Sequence, residues 1–143
     1  MHTNTAAPQP NPARPSDTFR IDSGTLIRSV TPRRGTPYEH ACTERVYKDA
    51  AYAVEQFGAR AFTGEEVRAA IAAPSPPFTQ VAVAMAFLKE RGCIVPARGR
   101  RHVAATDYTY EDALIEYHAL KDGSPGSTGA SGATGAPGPE QAA

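Results

Sequence analysis

The sequence predicts an α+β unit that is mainly helical, with one short β-hairpin and ends that carry no structure. Three observations support this. Apolar residues recur at spacings of three and four through much of 38–120. Glycines follow two of those runs, at Gly58 and Gly92. The clearest strand-like stretches, "CIVPA" and "RHVAA", flank the turn "RGR".

The ends are set apart by composition. Residues 1–20 are rich in Pro, Ala, Asn and Thr, with Phe19 as the single large apolar side chain. Residues 121–143 are dominated by Gly, Ala, Ser, Thr and Pro. Neither end can bury enough apolar surface to offset the entropy of ordering it, so both are expected to be disordered. Residues 21–35 read as a basic arm that packs locally, leaving 36–120 as one small domain.

Within that domain the first helix is expected over Tyr38 to Phe57, where Cys42, Val46, Ala50, Ala53, Val54 and Phe57 form one apolar stripe. Thr63 and Glu66 match a capping box, with Phe62 and Val67 as its hydrophobic staple, so a short helix starts at Thr63. The prolines of "PSPP" at 74–77 end it, since proline removes a helical donor. A third helix runs from about Phe78 to Arg91, with Val81, Ala84, Met85 and Leu88 inward and Gly92 as its C-terminal cap. The hairpin follows. A fourth helix begins after Thr109, its apolar flank Ala113, Leu114, Tyr117, His118 and Leu120.

Charge and cysteine content narrow the function. The formal net charge is zero, but residues 1–36 hold five arginines against two aspartates, and 93–106 hold Arg98, Arg100 and Arg101 without an acid. Such segments attract polyanions, although zero net charge disfavours strong non-specific binding. Cys42 and Cys93 are too few to staple a secreted mini-domain. The amino terminus lacks an apolar signal core, and the run "VAVAMAFL" is far shorter than the ~20 residues a membrane span needs. A cytoplasmic protein without a membrane association is the expectation.

The residues "FTGEEVRAAI", "TQVAVAMAFLKERGCI" and "RGRRHV" occur in the order of a capped second helix, a third helix ending at glycine, and a basic hairpin. This order, over about Tyr38 to Ala105, resembles the winged helix-turn-helix family. The resemblance implies a three-helix winged helix-turn-helix with a β-hairpin wing, to which the fourth helix is an addition. It also implies a small DNA-binding protein, a bacterial transcriptional regulator, taking double-stranded DNA as partner. Its third helix would enter the major groove with Thr79, Gln80 and Val83, and its wing would set Arg98, Arg100 and Arg101 on the phosphates. Arg33 and Arg34, in "TPRRGTP", would be a minor-groove arm, or else a solvated linker.

A second reading stands beside it. Removing the inward stripe from the third helix leaves Gln80, Ala82, Val83, Ala86, Phe87 and Glu90 outside, and only Gln80 is a good base reader. A helix apolar nearly all round is usually covered. The alternative is therefore a winged-helix-like protein interaction module that uses this apolar outer face and does not bind DNA. Phe87, Tyr110 and Tyr117 are its interface candidates, with a homodimer through the fourth or third helix.

Chemistry is little represented. His40, Cys42, Cys93 and His102 lack zinc-ligand spacing, so no metal is expected. No Gly-x-Ser-x-Gly, phosphate-binding glycine loop or His-Glu-x-x-His occurs, so no catalytic residue, no cofactor and no enzyme activity are expected. Residues 123–140 form six Gly-X-Y triplets that resemble a bacterial collagen-like repeat, or else a flexible tail.

Overall fold

A computed structural model describes residues 16–123. The described chain is α+β. Its elements, in order, are β1 (Ser16–Asp22), β2 (Thr25–Thr31), β3 (Tyr38–Cys42), α1 (Glu44–Phe57), α2 (Gly64–Ala70), α3 (Phe78–Glu90), β4 (Ile94–Pro96), β5 (His102–Ala104) and α4 (Thr109–Lys121). Strands β1, β2 and β3 form an antiparallel meander, and β4 and β5 form a two-stranded hairpin.

The meander is the largest departure from the sequence reading. Ser16–Arg20, assigned above to a disordered end, lie in β1, and the basic arm of 21–35 holds the end of β1 and all of β2. The turn explains why. Asp22 pairs with Thr25, leaving Ser23 and Gly24 as a two-residue loop, both with positive φ (53° and 81°). Positive φ at both positions gives the loop a twist that matches the strands it joins. "DSGT" between "FRI" and "LIRSV" was therefore a hairpin signal.

Tyr38–Cys42, expected as the start of the first helix, is instead β3, paired with β2. Thr43 breaks the helix there: its backbone is extended, and its hydroxyl accepts from the Val46 amide at 3.2 Å. Cys42 is buried as expected, but through the sheet, paired with Leu26, which pairs in turn with Ile21.

Other boundaries follow the sequence closely. The α1 helix stops before Gly58 at φ +61°. The Thr63–Glu66 capping box is complete in both directions. At the end of α3, Gly92 has φ +78° and the Cys93 amide donates back to the Leu88 carbonyl at 2.8 Å. This is the Schellman closure. The start of α4 differs: Thr109 lies inside the helix, and Thr106 supplies the local bonds, accepting from Tyr108 N and donating to Asp112.

One core unites these parts. Tyr47 of α1 stands near its centre, with its hydroxyl donating to the Ala113 carbonyl at 2.7 Å and its ring against Phe87 and Tyr117. The α1, α2 and α3 helices share this core, and β5 joins it through paired backbone bonds between Phe62 and His102. The meander packs on α3 and is held to α4 by a bond from the Tyr117 hydroxyl to the Gly24 carbonyl. Arg91 and Glu116 join α3 to α4 at 2.9 Å, with only 14% and 3% of their side chains exposed.

Candidate interaction surfaces

The orientation of α3 decides what the chain can offer a partner. Val83 and Phe87, expected on its outer face, are both fully buried. The physical reason is the meander, which the helical pattern alone does not reveal. Phe19 of β1 sets its ring edge against Phe87 at 5.2 Å, and the Arg91 guanidinium lies over the same ring at 4.9 Å. Gln80 is engaged too, its side-chain oxygen accepting from the Thr43 amide at 3.0 Å. Of the three expected groove-facing residues, Thr79 alone is exposed.

The least covered side of α3 runs instead along Phe78, Thr79, Ala82, Ala86, Lys89 and Glu90, exposed at its two ends and half-buried at Ala82 and Ala86. Its middle is two alanines, which give no hydrogen bond to a base edge. The same burial corrects Phe87 as an interface residue. Tyr117, also fully buried, is corrected with it.

The hairpin β4–β5 carries its arginines in two environments. Arg98 and Arg100 are exposed at the tip, around Gly99 at φ +66°. Arg101 turns back to α2, donating to Glu66 at 3.0 Å. Glu66 thereby serves the cap and the hairpin together. Its carboxyl is held below the usual range, first by the Thr63 amide and then by the charges of Arg101 and Arg60. Arg33 and Arg34 lie exposed on the β2–β3 connection, away from the hairpin in sequence and on another element.

A different surface is more apolar. Tyr52 of α1 and Ile115 of α4 are more than half exposed, and Tyr108 before α4 is 65% exposed. Tyr110, half-buried, stands edge-on to Tyr52 at 6.2 Å. Of this group Tyr108 and Tyr110 were contact candidates in the sequence. Leu114 and His118 were expected inward; His118 is exposed, Leu114 half-buried, and the inward place is taken by Glu116. The signal for Tyr52 was its position off the α1 stripe.

The potential ligand groups sit in different environments. Burial pushes the Cys42 and Cys93 thiols up to about 12, so both are poor nucleophiles. His40 is exposed, its ring tilted at 43° against Tyr38 with centroids 4.7 Å apart. Both ring nitrogens of His102 are buried without a partner among the described residues, and burial, then Lys89, lowers its pKa. No group of three or more His, Cys, Asp or Glu side chains is gathered for a metal among the described residues. No helix there is long and apolar enough to cross a membrane.

These features define the chain as an α+β protein with a meander sealed onto a helical core. Comparison with protein-family models, with curated proteins and with solved structures gives no match.

Proposed function

We propose that this chain is a winged-helix-like protein interaction module, and that its third helix belongs to the core. The winged-helix part of the reading is supported by the order α1, the Phe62 bridge, α2, α3 and the β4–β5 hairpin, with Phe62 pairing to the hairpin strand. The observation that carries the functional part is the sealing of α3: Val83 and Phe87 have no exposed surface and Gln80 caps a neighbouring amide. A base reader needs those positions open. The apolar side chains on α1 and α4 suit protein contact, where aromatic residues are enriched.

A second reading keeps DNA as a ligand through its backbone alone. It is favoured by Arg98 and Arg100, exposed at the hairpin tip and without a partner among the described residues. Anisotropy of a labelled mixed-sequence duplex at low salt separates the two. The module reading expects no saturable binding. Binding that weakens on Arg98→Ala and Arg100→Ala, with a salt slope about one unit smaller per arginine, would establish the second reading instead.

A further inference from the structure

The exposed side of α4 is a stripe with its own charge order. Glu111, Leu114, Ile115 and His118 follow one another at helical spacing, and all but the half-buried Leu114 are exposed. Acid stands at the start of the stripe, apolar side chains at its middle, and base at its end. Tyr52 and Tyr110 add apolar surface on the α1 side, at the level of Glu111. The basic end lies beside Glu44, but that carboxylate is already bonded to Lys48 at 2.9 Å.

A surface of this order is complementary to itself when turned through a two-fold axis, because an isologous contact pairs residue i with j and j with i. With the axis between Leu114 and Ile115, an antiparallel pair of α4 helices sets Leu114 on Ile115 of the other copy, and Glu111 on His118. An imidazole N–H donates to a carboxylate whether or not the ring is protonated. Antiparallel helices also bring opposite dipole ends together.

We propose that two copies of this chain associate through antiparallel α4 helices, with Leu114 and Ile115 at the centre and two Glu111–His118 contacts at the rim. This rests on the interaction-module reading and names its partner as a second copy. The face is one helix of about 20 Å flanked by part of α1, at the low end of specific interfaces, so the dimer is weak, with a dissociation constant on the order of micromolar to tens of micromolar.

Sedimentation equilibrium of the full chain, from about 5 to about 500 μM, suits an interface of that size. The expected result is a monomer–dimer equilibrium that Ile115→Asp weakens by at least about tenfold. Glu111→Lys and His118→Glu should each weaken it by about fivefold, and the double variant should return it to within about threefold of the wild type. Because both swaps oppose the α4 dipole, a merely structural role would make the double variant the worst of the set. A monomer over the whole range overturns the proposal, and so does a dimer that the double variant fails to restore. The duplex-binding measurement reads the broader claim separately: a monomer that ignores DNA loses only the dimer, whereas a monomer that binds it loses the module reading as well.

Discussion

Replacing Phe87 by alanine probes whether α3 is a core helix on the side that its apolar pattern alone leaves outside. The ring is fully buried, with Phe19 at 5.2 Å and Tyr47 at 5.8 Å, each edge-on, and Arg91 above it at 4.9 Å. Truncating a buried Phe costs about 3–5 kcal/mol, and an exposed site within about 0.5 kcal/mol. The two ring contacts, each worth about 0.5–1.5 kcal/mol, and the cation over the face put Phe87 in the upper half of that range. Urea unfolding followed by circular dichroism measures the loss, with Phe87→Leu, expected at about 1–2 kcal/mol, as the variant that stays folded. Phe19→Ala adds the decisive control: a double-mutant cycle with Phe87→Leu should return a coupling of about 0.5–1 kcal/mol. A Phe87→Ala loss below about 1 kcal/mol, or zero coupling to Phe19, would refute the reasoning.

Two further outcomes follow from buried polar groups. His102 is held neutral by burial and by Lys89, so its folded pKa lies below the ordinary value of 6.5. The unfolded chain therefore binds the proton more readily, and stability falls as pH drops below about 6.5, levelling off below the folded pKa. Comparing wild type with His102→Phe between pH 7.5 and 5 isolates this step; parallel curves would rule it out. Among the described residues, Glu116→Ala leaves Arg91 the more exposed Glu90, at 3.0 Å, as its carboxylate partner. Removing one member of a buried pair costs about 3–5 kcal/mol, and the low end is expected here in thermal melts, a fall of roughly 12–20 °C.

Much of the helical half was legible because its signals are local. Thr63 with Glu66, Gly58 and Gly92 each fix a boundary within a few residues, and the structure places those boundaries there. The meander was less legible for a physical reason. Phe19, Ile21, Leu26 and Val30 are too sparse to read as strands unless they are counted in alternation around the Ser23–Gly24 turn. That loss spread to the site. With no sheet to cover it, α3 displays an apolar face at Val83 and Phe87, and the pattern cannot tell a face awaiting a partner from one already covered within the chain. The hairpin arginines show the converse. Their place at a turn was legible, but the turning of Arg101 onto Glu66 depends on how α2 meets the hairpin.

The measurement closest to the central claim reads the faces of α3 one thiol at a time. The native cysteines give a quiet background, since Cys42 and Cys93 are buried and raised to about 12. Ala82→Cys, Val83→Cys and Ala86→Cys each place one new thiol on the helix, and modification by a water-soluble disulfide reagent reports which are open. The expected result is ready reaction at 82 and 86, with position 83 on the order of a hundredfold slower and released only on unfolding. A thiol at 83 reacting as fast as one at 86 would contradict the claim that the N-terminal sheet closes this helix.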